Sequence, residues 1–512
     1  MVNPIYIITA ALGAAFLLGL LRDTWRTAAY GITLGSLALM SAISAGWIVT
    51  LASGDGLPVD IFTAGTEPPF AINLRMGLAE AVLTLLINMT GLLAALYLRD
   101  TLFRQGRRAM AVLLIFTMAS CGIVLTRDLF NLFVFLEIAS LSSYALVGFG
   151  CEHEELEASF KYMVLGSVAS ALVLMGVALV YGNTASLNMV YVSRAIQASG
   201  VNAGLAFALA LFIAGFGLKA ALVPFHAWLP DAHPSAPAPI SAMLSGVLIK
   251  ALGVYALARI VFNVFGVSVI VAWILIALGV LSMVIGVFLA VGQWDFKRLL
   301  AYHSISQMGY VVLGIGIGAL VLARGGKIEW AALAIMGGLF HLVNHAVFKS
   351  LLFLASGSVE MATGTRQLKE MGGLVKKLPL TRTTCTVASA AIAGVPPFNG
   401  FWSKLILVIA AVQAGLIGLA AVTVLVSLVT LISFLKVQRY VFLGELPENL
   451  QDVRENKGSM LVAMGFLACL CVLMGLLVLV PSLRGSILDP AVKVLTDGLE
   501  YSATVAKAVT NI

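Results

Sequence analysis

The chain has 512 residues, of which 61% are hydrophobic and only 11% charged. That balance excludes an ordinary soluble domain, because apolar runs long enough to span a bilayer follow one another from end to end. The formal charge of +7 is scattered over short loops, which excludes a nucleic-acid surface and reads as a topology signal.

In chain order the hydropathy predicts about fourteen spans, each close to the length a bilayer requires. They fall near 3–21, 28–52, 76–98, 108–126, 129–149, 159–181, 203–224, 237–260, 269–291, 298–322, 330–358, 380–411, 413–440 and 458–481. The first basic residue is Arg22, so no basic segment precedes the first apolar run, and the first span is expected to be kept rather than cleaved. An even count places both termini on one side. The basic loops 99–108, 297–298, 366–382 and 436–457 share the other side, which the positive-inside rule makes cytoplasmic. A multi-pass protein of the cell's inner (cytoplasmic) membrane with both termini outside is therefore expected. The acidic loop 151–157, CEHEELE, does not change this, since acidic residues count little in the rule. Beyond Pro481, Leu488, Val492, Leu495 and Leu499 recur at helical spacing and predict an amphipathic surface helix resting on the membrane or on a neighbouring subunit.

Five charged residues lie deep in these spans: Glu137, Lys219, Lys250, Lys349 and Lys404. Each costs roughly 2.5–3.5 kcal/mol at a bilayer centre, and together on the order of 12–17 kcal/mol. Intramembrane charges of this kind mark a path for ions or protons. Lys219 sits in GFGLKAALVPF, and Glu137, in FNLFVFLEIAS, is the carboxylate expected to pair with it and tune its charge. The alternative is a static buried salt bridge, which says little about stability. Ser140 and Tyr144 share a helix face with Glu137 and add hydroxyls. Lys250 follows in the next span. His341, His345 and Lys349 fall at i, i+4 and i+8, one stripe of a helix suited to a relay. Two histidines at i, i+4 also suit a metal, but no Cys, Asp or Glu stands near them on that helix, so no metal site is expected.

Two segments echo each other. VPFHAW at 223–228 is similar to PPFNGF at 396–401, and each has a lysine beside it, Lys219 before the first and Lys404 after the second. They lie in spans 7 and 12, an odd offset, so the copies run in opposite directions, as in inverted-repeat transporters. Pro224, Pro396 and Pro397 predict helix breaks there; Pro224 cannot bond the carbonyl of Ala220, nor Pro397 that of Ala393. His226 lies close enough to extend a relay. Asp231 and His233, in the Pro-rich turn HAWLPDAHPSAPAP, read as capping and loop residues. Cys121, Cys151, Cys385, Cys469 and Cys471 contain no C-x-x-C pair, so no iron–sulfur, zinc or disulfide framework is expected. Gly314, Gly316 and Gly318 lie mid-helix and read as close-packing residues rather than a phosphate loop.

The strings GFGLKAALVPFHAWLPDAHPSAPAPISAMLSGVLIK, LAYHSISQMGY, HLVNHAVFKSLLFL and GVPPFNGFWSK resemble signatures of the antiporter-like, proton-translocating subunits of the respiratory complex I superfamily. The resemblance implies an all-α membrane protein of about fourteen transmembrane helices, with two inverted five-helix repeats and broken helices 7 and 12. It implies the divisions 1–107 (helices 1–3), 108–260 (first repeat, helices 4–8), 261–443 (second repeat, helices 9–13) and 444–512 (helix 14 and the amphipathic tail). The proton pathway it implies comprises Glu137, Lys219, Lys250, His341, His345, Lys349 and Lys404, the last facing a neighbouring subunit. It also implies no cofactor in this chain and no catalytic or redox site of its own. Electrons would be handled by partner subunits, and the partners implied are other membrane subunits of the same complex, including neighbouring antiporter-like subunits, in a proton-translocating oxidoreductase. Lys404 resembles the Mrp antiporter D-type subunit as well, and DAHPSAPAPISAMLSG resembles subunits of membrane-bound hydrogenases. A sodium-coupled role would act through partners, since sodium prefers oxygen ligands and this row is mostly amines. A non-transporting scaffold or quinone-binding subunit is the reading of a different class.

Overall fold

The structure is a computed structural model and describes residues 2–503 and 508–509, apart from positions 55, 64, 65, 67, 69 and 457. Lys457, at the end of the fourth basic loop, thus lies outside the described residues. Among those described, eleven helices are long and apolar enough to cross a membrane, and three shorter apolar helices accompany them. In order they are α1 (Tyr6–Leu20), α2 (Arg26–Ala52), α3 (Leu78–Tyr97), α4 (Arg107–Leu125), α5 (Leu129–Val147), α6 (His153–Thr184), α7 (Ala203–Lys219), α8 (Ala238–Phe265), α9 (Val269–Val291), α10 (Phe296–Ala323) and α11 (Ile328–Thr363). The twelfth predicted span is two helices, α12 (Pro379–Ala393) and α13 (Asn399–Gln413), followed by α14 (Ile417–Phe442) and α15 (Gly458–Leu477). Several helices start where a side chain takes an orphan backbone N–H: Asp128 accepts from Asn131 N at 2.8 Å before α5, Asn202 from Leu205 N at 2.9 Å before α7, and Asp295 from Arg298 N at 2.9 Å before α10.

The all-α expectation misses one element. Between α2 and α3 the chain forms an antiparallel hairpin, β1 (Val59–Phe62) with β2 (Asn73–Met76), in the register Val59 to Met76 and Phe62 to Asn73. Apart from Met76, at the start of the third predicted span, it lies outside every apolar run, so hydropathy carried no sign of it. Ala508–Val509 adds a third strand, parallel to β1.

Burial sorts the helices. The apolar windows of α8 and α10 are almost wholly enclosed by protein, whereas α14 and α15 turn most of theirs outward, with Leu425, Leu428 and Ile432 exposed as a lipid-facing surface requires. Glycine sets how closely α10 is gripped. A Cβ on Gly316 would come within 2.9 Å of Ile276 N on α9, and one on Gly314 within 2.8 Å of Ala334 O on α11. The glycines are therefore contact residues of close helix packing, as their mid-helix placement suggested. Within α8, residues Leu244–Tyr255 and Ile260–Phe265 are wound as π-helix, a widened form that recurs at functional sites.

The tail settles on the chain itself. The amphipathic helix α16 (Asp489–Thr496) buries Val492, Val494 and Leu495. Asn263, near the end of α8, donates its amide to Val494 O at 2.9 Å and to Gly498 O at 2.7 Å.

Candidate functional site

Four lysines and two histidines of the predicted row are no more than 5% exposed: Lys219, Lys250, His341, His345, Lys349 and Lys404. The two helix breaks place the outer pair. Lys219 is the last residue of α7, and the helix stops there rather than at Pro224, because Ala221 turns to a positive φ of 53°. The carbonyls this exposes find partners. Gly217 O accepts from Leu222 N at 2.9 Å, and Leu218 O accepts from Trp228 Nε1 at 2.9 Å. The second break begins at Gly394, whose φ of 79° ends α12. Here the carbonyl that Pro397 cannot serve, Ala393 O, accepts from Ser427 Oγ at 2.9 Å. Both breaks carry a cis X-Pro bond, Val223–Pro224 and Pro396–Pro397. The freed carbonyls at each break are thus hydrogen-bonded, as backbone at membrane depth requires, while Pro224, Pro396 and Pro397 themselves are exposed.

Lys219 Nζ donates to Ser140 Oγ at 2.7 Å and to Tyr144 Oη at 3.4 Å. Ser140 and Tyr144 sit about one and two turns along α5 from Glu137. Among the described residues the carboxylate makes no ion pair with the lysine; its field reaches Lys219, and its buried Oε1 has no hydrogen-bond partner. Behind Tyr144 the ring of Tyr162 packs edge-on at 4.5 Å and itself stacks on Trp228 at 4.3 Å. His226 stands part-exposed at this break with its Nδ1 buried and unpartnered.

The middle of the row is more tightly enclosed. Lys250, in the π-helical stretch of α8, donates to Ser245 O, and Ser245 Oγ meets Ser304 Oγ of α10 at 2.9 Å. Lys349 donates to Leu300 O. Lys349 Nζ also lies 5.5 Å over the ring of Phe353. His345 is wholly buried with neither ring nitrogen hydrogen-bonded. His341 Nδ1 lies 2.9 Å from Ser403 Oγ and Nε2 3.2 Å from Gln307 Oε1, so its ring spans α13 and α10. Lys404 Nζ donates to Ile392 O at 2.8 Å and to Ser427 Oγ at 3.1 Å, and sits 4.8 Å above the ring of Tyr310, which lies 5.3 Å from His341. Among the described residues no group of three or more His, Cys, Asp or Glu is placed to hold a metal ion.

Sequence reasoning missed part of this site. His303, Gln307 and Tyr310 belong to it, at i, i+4 and i+7 on one face of α10; that polar spacing inside an apolar span was the available signal. His233 was read as a loop residue and is wholly buried. Asp231 does stay at the surface, near Arg298 at 3.4 Å and Lys161 at 3.7 Å. A second buried charge set lies at the opposite end of α8. Glu80 is fully enclosed, 3.5 Å from Arg259 Nη1, and accepts from Tyr255 Oη at 3.3 Å and from Tyr501 Oη at 3.0 Å. Glu80 begins α3, and a carboxylate at a span end reads as exposed until the tail that covers it is seen.

Residues 126–430, the stretch that holds both breaks and every lysine of the row, match the family described as NADH:quinone oxidoreductase/Mrp antiporter, TM. The chain belongs to that family. Among its relatives, NADH-quinone oxidoreductase subunit N of Desulforudis audaxviator is 34% identical over 420 residues, 81% of each chain. The D-type Na(+)/H(+) antiporter subunit of Alkalihalophilus pseudofirmus is 33% identical over 430 residues, 82% of this chain and 85% of that one. Solved structures agree across nearly the whole length. A chain of the Mrp complex from Dietzia sp. superposes with a TM-score of 0.88 at 28% identity, covering 98% of both chains. One from the archaeal membrane-bound sulfane sulfur reductase superposes at 0.86 and 31% identity, covering 98% of this chain and 100% of that one. Those two chains come from the Mrp complex and from an archaeal respiratory membrane complex.

Proposed function

We propose that this chain is a proton-translocating, antiporter-like subunit of a multisubunit, redox-driven ion pump, and that Glu137, Lys219, Lys250, His341, His345, Lys349 and Lys404 carry the proton. The observation that carries this reading is the enclosed row of amines and imidazoles, joined by hydroxyls and fields from α5 to α14. A charge on one lysine disfavours a charge on the next in a low-dielectric interior, so protons would occupy neighbouring sites of the row in turn. A carboxylate acts on a nearby amine in the opposite sense, which is the part proposed for Glu137 toward Lys219. A wave of alternating gain and loss along the row follows, with Lys404 exchanging its proton with the outside or with a neighbouring subunit. Electrons and any redox group belong to the partners.

The eleven long helices and the three shorter apolar ones support a fourteen-span reading, with α12 supplying the first half of span 12. The paired breaks of α7 and α12–α13 support two inverted five-helix repeats. The basic loops support a cytoplasmic assignment for the side that carries them, and outer-side termini in the cell's inner membrane. The second reading, a D-type subunit of an Mrp sodium/proton antiporter, is favoured by the likeness to the Alkalihalophilus antiporter chain and to the Mrp complex chain.

The test is Lys250→Ala in the intact complex reconstituted into vesicles. Normal assembly with proton transfer reduced by about a hundredfold is expected, the scale of losing one proton-transfer group. Unchanged proton transfer would overturn the proposal in favour of a scaffold. Proton transfer that requires sodium, in the same vesicles with sodium varied, would select the Mrp reading.

A further inference from the structure

A cavity of about 1450 Å³ opens at the end of the bundle where the basic loops lie. Charged side chains line it, among them Arg99, Glu152, His153, Lys297, Glu360 and Arg366. The turn between the short helix Leu229–Ser235 and α8 supplies part of its wall, residues 235–239. Two cations pin that turn by its carbonyls: Arg366 Nη1 donates to Pro234 O at 2.7 Å, and Lys297 Nζ to Ala236 O at 3.3 Å. Lys297 also holds Glu360 Oε2 at 2.7 Å, and Arg366 reaches Asp295 at 3.3 Å.

Behind the turn lies His233. It is wholly buried, its ring centre 4.7 Å from that of Phe353, and neither ring nitrogen has a hydrogen-bond partner. Its own carbonyl is occupied, accepting from Ser241 Oγ at 2.8 Å. Lys349 Nζ lies 5.5 Å over that same Phe353 ring, so the imidazole and a lysine of the row share one aromatic side chain. Burying an imidazole with both nitrogens idle is unfavourable, and a packing role would be met by a phenyl ring. An imidazole two residues from the cavity wall, sharing Phe353 with Lys349, is instead placed to take a proton on one nitrogen and release one from the other.

We propose that His233 is the relay through which protons pass from this cavity to Lys250 and Lys349, with the Lys297–Glu360 pair as a positioning element at the mouth. The inference rests on the proton-translocating reading above and names its intake. In the step, one ring nitrogen gains an N–H bond from a proton delivered through the cavity. The N–H on the other nitrogen breaks, and its proton passes to a neutral lysine amine. The ring leaves neutral in the opposite tautomer and resets by turning over or by exchanging its protons, so no further reactant is consumed.

The experiment compares wild type, His233→Ala and Lys250→Ala in the intact complex in vesicles, with assembly checked by copurification. His233→Ala is expected to slow proton transfer by about a hundredfold, as for the loss of a general acid–base group. Added imidazole should restore it, whereas pyrazole, of the same shape but a far weaker base, should not. Unimpaired transfer, or equal rescue by pyrazole, would overturn the relay. If Lys250→Ala abolishes transfer while His233→Ala does not, the intake alone fails; if Lys250→Ala transfers normally, the parent reading fails. Should His233→Ala not assemble, ring C2 hydrogen–deuterium exchange in the wild-type complex decides. Exchange at His233 faster than at His303 supports the relay, and equal or slower exchange overturns it.

Discussion

The two helix breaks solve one problem in opposite ways. At the first, the lysine precedes the break and rests on side chains of another helix, Ser140 and Tyr144 of α5. At the second, the lysine follows the break and ties itself to the break's own backbone, at Ile392 O, with Ser427 serving both the lysine and Ala393 O. The first amine is held by rotatable hydroxyls within the field of a carboxylate one turn away. The second is held by a fixed carbonyl, and among the described residues no carboxylate forms an ion pair with it. The difference assigns the breaks separate tasks: Lys219 is the adjustable end of the row, and Lys404 is a terminal whose position is part of the helix break itself.

The largest effect that tests this contrast is on transport. Lys219→Ala and Lys404→Ala should each reduce proton transfer by about a hundredfold in an assembled complex, read from the internal pH of vesicles. A large loss in only one would mean that only one break serves the pathway. The next effect separates them by stability. Lys404→Ala leaves the Ile392 carbonyl without its donor and should cost about 1–3 kcal/mol, seen in thermal unfolding of the purified complex. Lys219→Ala leaves two hydroxyls close enough to bond each other and should unfold nearer to wild type. Equal destabilisation would erase the distinction. The smallest effect is at the serines. Ser140→Ala removes the 2.7 Å contact of Lys219 and should slow transfer by about tenfold, the equivalent of the ~1.5 kcal/mol of a hydrogen bond to a charged group. Ser427→Ala should slow transfer less, because Lys404 keeps Ile392 O, while lowering stability by about 1 kcal/mol.

Much of this was legible in the chain because a bilayer leaves a coarse record. Uninterrupted apolar runs located the helices within a few residues, and a lysine inside such a run stands out whatever it touches. The stripe of His341, His345 and Lys349 follows from helical period alone. What escaped notice depends on backbone angles and on coverage. Proline marks the first break, but the helix ends five residues earlier, because Ala221 adopts a left-handed turn that alanine does not advertise. His233, amid prolines, looks like a surface turn, yet the turn folds inward behind the cavity wall. Glu80 and Arg259 sit near span ends, where charge is ordinary, until the tail closes over them and Tyr501 completes their contacts. Glu137 shares its helix with Ser140 and Tyr144, but the hydroxyls rather than the carboxylate meet the lysine, a choice of reach that spacing does not encode.

The central claim is that buried amines change protonation as the complex turns over. Infrared difference spectroscopy on the working complex, with nitrogen-15 lysine to identify the ammonium bending band, measures that change directly. The account predicts a lysine ammonium signal that appears and decays with turnover and is lost in Lys250→Ala. Turnover-dependent proton transfer with no lysine signal would contradict it.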